Sequence, residues 1–303
     1  VPQLTDAAIR VRLAAAVALL GDSNTRLRPD ERPLAIEFER FPEGVYVVGA
    51  RSSQQFLLGR RLTGLGSEPL DLIRPSLGAL VAAENANSYA AQETRLLRSV
   101  DVMQGLGLAG NTGAVNVVTA NAGGTTEETI VQPAGSDPQL VAWPSTRPRS
   151  LRRRGEAYWY EVDLAKQTVY FQYNRASGRT DLPMAEAADG VLRALSDGRA
   201  SRLVLDMRFN DTGNAAALQP LLEVIAGWPG RRDPARFKLL VGPRTHAGAL
   251  ENAVRLSQTA AVEIIGEPPG GNPNHFGGVV PVALPESGLR LDVATQPVRL
   301  TQD

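Results

Sequence analysis

Residues 237–259 read FKLLVGPRTHAGALENAVRLSQT, and their pattern indicates the fold of the second half of the chain. FKLLVG is typical of a buried strand, PRTH of a turn, and the remainder has helical spacing. The same rhythm continues on both sides, with strands such as RLVLDMRF and VEIIGE and helices such as MAEAADGVLRALSDG and AAALQPLLEVIAG. Alternating strands and helices joined by short loops predict an α/β fold, a largely parallel sheet covered by helices.

Two loops of this predicted sheet are candidates for a functional site. FNDTGN (209–214) follows one strand and PRTHAG (243–248) follows another. Loops at the carboxyl ends of parallel strands commonly carry the chemistry of α/β proteins. A Thr-x-small-small stretch that opens a helix is where many hydrolases hold a nucleophile, but here the positions are occupied by Ala247 and Gly248.

The composition excludes several kinds of site. The chain has 303 residues with 32 basic and 32 acidic side chains, so no charge excess points to nucleic acid or an anionic membrane. Cysteine is absent, which excludes disulfides, thiolate metal sites and a thiol nucleophile. Lysine occurs only at 166 and 238 and histidine only at 246 and 275, so the candidate general bases can be named in full. We expect no cofactor and no metal, because the histidines lack zinc-ligand spacing.

Length and proline content predict two domains. The Pro-rich segment 133–155 is the predicted boundary, so that residues 1–150 form one region and 151–303 the other. No apolar run reaches the roughly 18 residues of a membrane span. The basic run RSLRRR (149–154) beside the boundary is interpreted as a solvated linker edge.

Local signals in the first region predict further elements. A helix is expected from Thr5 to Leu20, with Thr5 or Asp6 as its N-cap. VNVVTAN and TEETIVQP are expected to form a hairpin that turns near residues 122–125. LLGRRLTGLGSEPLDLI is expected to form a strand, a glycine turn and a short helix.

Six motifs follow one another in a familiar order: GDSNT (21–25), LTGLGSEPLDLI (62–73), YWYEVDLAKQTVYFQYN (158–174), VLDMRFNDTGN (204–214), RTHAGALENA (244–253) and GEPPGGNPNHFG (266–277). In this respect the chain resembles the tail-specific (C-terminal-processing) protease family of serine peptidases. The resemblance implies a ClpP/crotonase-like core, preceded by a mixed α/β N-terminal cap with a PDZ-like segment at about 41–80. It also implies an extracytoplasmic, periplasmic or secreted, location.

The resemblance assigns roles to individual residues. The nucleophile position falls on Ala247, the first oxyanion donor on the N–H of Gly248, and the second donor on Thr212 or Gly213. The family's histidine base, in Gly-Asp-x-His-Thr, corresponds to Asn24, which follows Ser23 in GDSNT. A serine nucleophile needs a base within hydrogen-bond reach and preorganised donors for the oxyanion.

This chain departs from that pattern at both the nucleophile and the base. Ala247 has no atom that can attack a carbonyl, and an amide such as Asn24 is not a useful general base. The turn after the nucleophile helix, GGNPNHFG, also lacks the lysine of Ser/Lys members. Ala247 is either an engineered replacement of a serine or a native loss. With serine restored, the only imidazoles available as a base are those of His246 and His275.

Three functions follow from these alternatives. The first is a serine-peptidase-like hydrolase acting on peptide or ester acyl groups, inactive here because of Ala247. The second is a natively non-proteolytic member of the fold, a pseudoenzyme that binds a peptide C-terminus, a carboxylate or an apolar ligand in the old cleft. The third is a non-proteolytic enzyme that uses the oxyanion hole for enolate chemistry. The expected partner is therefore a peptide or a small acyl or carboxylate ligand.

Other distinctive residues have structural interpretations. Asp206 and Arg208 are expected to pair at a strand end, and Asp22 and Thr25 to form a turn. The glycines of the GEPPGG tract are interpreted as backbone necessities, because the tract has no nucleotide-binding spacing. The alternating aromatic side chains of two strands are expected to pack in the core; they are Tyr158, Trp159, Tyr160, Tyr170, Phe171 and Tyr173.

Overall fold

The computed structural model describes residues 4–28, 32–136, 139–142, 148–211 and 213–302. The chain divides into two compact units. The first unit comprises Val1–Glu84, Gln92–Arg147 and Phe276–Gln296, and the second comprises Asn85–Ala91, Pro148–His275 and Pro297–Asp303. The two-domain boundaries expected from sequence, 1–150 and 151–303, stay a prediction.

The helices are α1 (Asp6–Ala18), α2 (Leu70–Gly78), α3 (Ser88–Leu97), α4 (Val100–Gly105), α5 (Met184–Ser196), α6 (Gln219–Gly227) and α7 (Ala247–Thr259). Short 3₁₀ helices cover Ser52–Leu57, Arg149–Leu151, Ala215–Leu218 and Pro229–Arg232. The strands are β1 (Arg26–Leu27), β2 (Ile36–Phe41), β3 (Gly44–Arg51), β4 (Arg61–Leu65), β5 (Glu68–Pro69), β6 (Val115–Ala120), β7 (Thr126–Val131), β8 (Leu140–Ala142), β9 (Tyr158–Asp163), β10 (Thr168–Tyr173), β11 (Arg202–Asp206), β12 (Phe237–Val241), β13 (Glu263–Gly266), β14 (His275–Gly277), β15 (Val280–Leu284), β16 (Leu289–Val293) and β17 (Gln296–Val298).

The first unit is built on an antiparallel sheet with the strand order β2-β3-β4-β6-β7, to which β5 and β8 add at β4 and β3. A second sheet has the order β1-β16-β15. The predicted hairpin is confirmed, since Val115 pairs with Val131 and Ala120 with Thr126. The predicted N-terminal helix is also confirmed: the Thr5 hydroxyl accepts a hydrogen bond from the Ala8 amide at 3.2 Å and caps α1.

The second unit contains the predicted parallel sheet. Its strand order is β13-β12-β11-β10-β9; β10 to β13 run parallel and β9 pairs antiparallel with β10. Helices α5, α6 and α7 follow β10, β11 and β12 in the chain, as parallel connections require. The mixed α/β class expected from sequence is thereby confirmed, while the PDZ-like segment stays a prediction.

The core of the second unit explains why these segments form these elements. Strand β10 is flanked by strands on both sides and is buried along nearly its whole length. The predicted aromatic packing is confirmed for Tyr158, Phe171 and Tyr173, which are fully buried. Helix α5 buries one stripe of small and apolar side chains against this core; they are Met184, Ala187, Ala188, Val191 and Ala194.

The interpretation of the basic run as a solvated linker edge is wrong for residues 149–151 and holds for Arg152 and Arg153, which are exposed. Ser150 and Leu151 are buried, and the side chain of Arg149 is only 29% exposed. The guanidinium of Arg149 lies 5.2 Å from the ring centroid of Tyr170, and that of Arg153 lies 5.2 Å from Trp159. The run packs on the sheet because a planar guanidinium is attracted to an aromatic face, which a charge count along the sequence does not reveal.

None of the helices in the described ranges is long and apolar enough to cross a membrane.

Candidate functional site

The two predicted loops meet at the carboxyl ends of β11 and β12. The Thr245 hydroxyl donates to the Met207 carbonyl at 3.0 Å and accepts from the Gly242 amide at 3.0 Å. The His246 amide donates to the Asn210 carbonyl at 2.9 Å. These bonds attach the turn after β12 to the loop after β11, because parallel strands bring their carboxyl ends to one edge. Helix α7 then begins at Ala247.

Ala247 has a strained backbone. Its φ is +48°, in the left-handed region that costs a residue with a Cβ about 1–2 kcal/mol. His246 before it is extended, with φ −141° and ψ 171°, so the chain turns sharply from strand to helix at this residue. A sharp, strained turn between strand and helix is the geometry that exposes the nucleophile of α/β hydrolases. Strain at a non-glycine residue is a reason to look for function there.

Gly248 lets the start of α7 approach the loop after β11 very closely. A Cβ atom at this position would lie 2.4 Å from the Ala215 nitrogen, 2.7 Å from the Asn214 carbonyl carbon and 2.9 Å from the Gly213 oxygen. All three are backbone atoms, which cannot move aside as a side chain would. Only glycine therefore permits the observed contact between α7 and residues 213–215.

The loop that receives Gly248 is itself held on its other side. Gly213 has φ +97°, and a Cβ there would lie 2.2 Å from the Ala176 oxygen. Gly213 forms a parallel bridge with Ala176, and the Asn214 amide donates to the Ala176 carbonyl at 3.2 Å. The segment 213–215 is thus clamped between Ala176 and the first turn of α7.

The Gly248 amide is a candidate donor to a ligand, in a residue that is itself buried. It lies in the first turn of a helix, where N–H groups have no intrahelical partner, and among the described residues it donates to no acceptor. Of the two residues expected to supply a second donor, Thr212 lies outside the described residues, and Gly213 lies against α7. The roles of Gly248, Thr212 and Gly213 as oxyanion donors stay predictions.

Both histidines belong to the second unit. The Nδ1 atom of His275 lies 3.0 Å from the Asn272 carbonyl oxygen and 3.3 Å from that of Pro273, so it is the protonated nitrogen and donates to them. Neutral His275 therefore presents Nε2 as its basic atom. The ring of His246 packs beside Gly271, where a Cβ would lie 2.6 Å from its Nε2. Their expected role as a base stays a prediction.

The GDSNT segment forms the expected turn in the first unit. The Thr25 hydroxyl donates to the Asp22 carboxylate at 2.5 Å, and the backbone N–H of Asn24 donates to the same carboxylate at 3.1 Å. The backbone N–H of Ser23 donates to Glu84 at 2.8 Å. The Asn24 side chain donates from Nδ2 to the Phe276 carbonyl at 2.8 Å. Asn24 is therefore engaged as a hydrogen-bond donor within its own unit.

The expected pair of Asp206 and Arg208 is confirmed. The Asp206 carboxylate is buried and accepts from Arg208 Nε at 3.0 Å, Arg208 Nη2 at 2.7 Å and the Tyr170 hydroxyl at 2.5 Å. Burial, and next the negative charge of Asp206, raise the pKa of Tyr170 well above its usual range. Tyr170 consequently stays a hydroxyl donor. The cluster closes the carboxyl end of β11, directly before the loop that receives α7.

Two buried asparagines of the site were not predicted from the sequence. Asn210 and Asn252 are fully buried. In the described part of the chain neither polar atom of the Asn210 side chain has a partner, and neither does Asn252 Oδ1. Asn252 lies within a helical stretch, where a polar residue is normally placed on the exposed face. The available signal was its position, four residues after Gly248 and therefore on the same helical face.

Comparisons with known proteins address the fold. No family model and no curated protein matches the chain. Among solved structures, mature CPAF complexed with lactacystin has a TM-score of 0.66 at 13% identity, covering 95% of this chain and 79% of the other. The crystal structure of a CPAF mutant has a TM-score of 0.63 at 12% identity and covers 99% and 81%. The photosystem II D1 C-terminal processing protease matches at 16% identity over 96% and 76%, with a TM-score of 0.43 that is too low to support an argument.

At identities of 12–13% the likeness to CPAF concerns the fold. The fold that the six motifs imply is confirmed, because the similarity to CPAF extends over 95% and 99% of this chain. The chain therefore has the α/β fold of the tail-specific peptidases.

Proposed function

We propose that this chain is a serine-peptidase-like hydrolase whose site lies at the start of α7, with Ala247 in the position of the nucleophile. The observation that carries the proposal is the left-handed φ of +48° at Ala247, a strained alanine between β12 and α7. The methyl group of alanine cannot form a hydrogen bond that would offset the free-energy cost of this backbone conformation. Strain of this kind is typical of a turn that presents a nucleophilic side chain to a substrate carbonyl.

The backbone around Ala247 supports the same proposal. An acyl-transfer site needs donors directed at the oxyanion before the reaction begins. The Gly248 amide lies at the N-terminus of a 13-residue helix, whose dipole favours negative charge. Gly213, from the segment clamped beside it, is the proposed second donor. These backbone groups do not depend on the side chain at 247, so they persist in a chain that carries alanine there.

Serine at position 247 would need a base, and the second unit offers the two imidazoles. His275 is the preferred candidate, because its Nδ1 proton is engaged by two carbonyls and its Nε2 carries the lone pair. His246 adjoins position 247 directly in the chain.

We predict that Ala247→Ser makes the protein reactive towards a fluorophosphonate probe and active on peptide or ester substrates. The measurement is covalent labelling, located by mass spectrometry, together with turnover of a broad substrate panel. The chain with Ala247 is the matched control and should show neither. His275→Ala in the Ala247→Ser background should reduce the labelling rate by about 10²-fold or more if His275 is the base. A variant that remains unlabelled and inactive on the whole panel would contradict the proposal.

The chain that carries Ala247 has a second candidate function, as a non-proteolytic protein that binds a peptide C-terminus. The favouring observation is that Ala247 lacks a nucleophilic atom while the Gly248 amide at the helix start has no acceptor among the described residues. A carboxylate oxygen has the charge and size that such a group accepts. For this function a peptide ligand is proposed, and an extracytoplasmic location remains proposed with it.

We expect a peptide with a free C-terminal carboxylate to bind the chain more tightly than the same peptide with an amidated terminus. A charge-assisted hydrogen bond is worth about 1.5–3 kcal/mol, which corresponds to roughly tenfold or more in Kd. Calorimetric titration of both peptides measures the difference. Equal affinities, or the absence of heat with both, would rule out carboxylate capture at this site.

A further inference from the structure

Asn252 has an unusual environment for a residue inside a helix. It is fully buried in α7, and its Nδ2 donates to the Ala215 carbonyl at 3.0 Å. Its Oδ1 has no partner among the described residues. A buried acceptor without a partner is unfavourable, and an apolar residue would avoid the cost. Proteins most often keep a buried polar group without a full set of partners where a functional site requires it.

The bond of Asn252 falls on Ala215, the residue whose backbone nitrogen Gly248 approaches. Gly248 and Asn252 are four residues apart and share one face of α7. The Ala215 nitrogen is the atom nearest to the position of a Cβ on Gly248, and the Ala215 oxygen accepts from Asn252. Gly248 thus permits the approach of the 213–215 segment, while Asn252 holds the segment at that separation.

The opposite end of the segment is anchored independently of α7. The backbone N–H of Asn214 donates to the Ala176 carbonyl. Its side-chain Oδ1 caps the following 3₁₀ helix by accepting from the backbone N–H of Ala216 at 2.9 Å. Between these anchors, the Asn252 bond is a side-chain link from α7 to the segment. Its loss would let the first turn of α7 and residues 213–215 move apart without unfolding either.

We infer that Asn252 is a positioning residue, which sets the spacing between the Gly248 amide and Gly213 and so determines the affinity of the site for a carboxylate or oxyanion. The inference rests on the proposed function of the Gly248 site. Asn252 acts on the site through its hydrogen bond to the Ala215 carbonyl and does not itself contact the ligand.

The test compares Asn252→Leu with the parent chain. Leucine has the branching and the number of heavy atoms of asparagine and suits a helix, but it cannot donate to Ala215. We expect the affinity for the free-carboxylate peptide to fall by about fivefold to tenfold. The affinity for the amidated peptide should stay unchanged, because that peptide does not use the paired donors. Asn252→Ser, whose hydroxyl is too short to reach Ala215, should behave in the same way.

Tyr158→Phe is the matched control. Tyr158 is also fully buried in the second unit, and its hydroxyl donates to a backbone carbonyl, that of Leu182, at 2.6 Å. This variant loses the same kind of bond and should keep the preference for the free carboxylate. If the parent prefers the free carboxylate and both Asn252 variants keep that preference in full, the positioning role is wrong. If the parent shows no preference, the second candidate function, capture of a peptide C-terminus at the Gly248 site, fails instead.

Discussion

The Gly248→Ala variant is expected to be less stable than the parent chain and to lose binding of a free-carboxylate peptide. In an ordinary helix alanine is preferred over glycine by about 1 kcal/mol. Here its Cβ would lie 2.4 Å from the Ala215 nitrogen, so either α7 or the 213–215 segment must shift. Overpacking of this kind costs about 1–3 kcal/mol. We expect a net loss within that range in urea unfolding and a fall of at least about tenfold in peptide affinity.

Gly227→Ala is the matched control for this prediction. Gly227 is the last residue of α6, and a Cβ there would meet no atom within 4 Å. Alanine should stabilise the chain by about 0.4–1 kcal/mol, because it restricts the unfolded chain at no steric cost. A Gly248→Ala variant that matched Gly227→Ala in stability and still bound the peptide would show that the close approach is not needed.

Removal of the Asp206 carboxylate is expected to give the largest loss of stability. Asp206 is 1% exposed and accepts hydrogen bonds from Tyr170 and from Arg208. In Asp206→Ala the buried Tyr170 hydroxyl loses its acceptor, and the guanidinium of Arg208, whose side chain is 36% exposed, loses its partner. Breaking a fully buried pair costs about 3–5 kcal/mol, and the access of Arg208 to water places the expected loss at the lower end, about 3 kcal/mol. Urea unfolding of the parent and the variant measures this difference.

Asp197→Ala tests whether burial causes the effect. Asp197 pairs with Arg199 at 3.5 Å, but the side chains are 59% and 51% exposed. Its removal should change the free energy of unfolding by no more than about 1 kcal/mol. The double variant Asp206→Ala/Arg208→Leu should recover part of the loss, because no charge is left without a partner. A loss in Asp206→Ala no larger than that in Asp197→Ala would contradict the assignment.

Much of the second unit could be predicted from the sequence. Strands β11 and β12 and helices α5 and α7 are marked by apolar periodicity, and the turns between them by glycine and proline. The pair of Asp206 and Arg208 could be predicted because both residues stand at one strand end. The basic run could not, since its guanidinium groups pack on aromatic rings of β9 and β10. Those rings are contributed by other segments of the chain.

Part of the candidate site could likewise be predicted from the sequence, and part could not. The motifs led to Ala247, Gly248 and Gly213, because their order along the chain is local information. The contribution of Asn252 could not be predicted in full, since its spacing from Gly248 indicates a shared helical face but not the partner of its side chain. Its single bond is to Ala215, 37 residues earlier in the chain.

The order of strands and helices and the absence of a nucleophilic atom at position 247 can be read from the sequence alone. Both are properties of residues and of their near neighbours. The left-handed backbone of Ala247, the contact of Gly248 with residues 213–215 and the burial of Asn252 arise only in the folded chain. These features depend on how closely α7 packs against a loop distant in the sequence. That separation is set by atoms in contact in the folded chain.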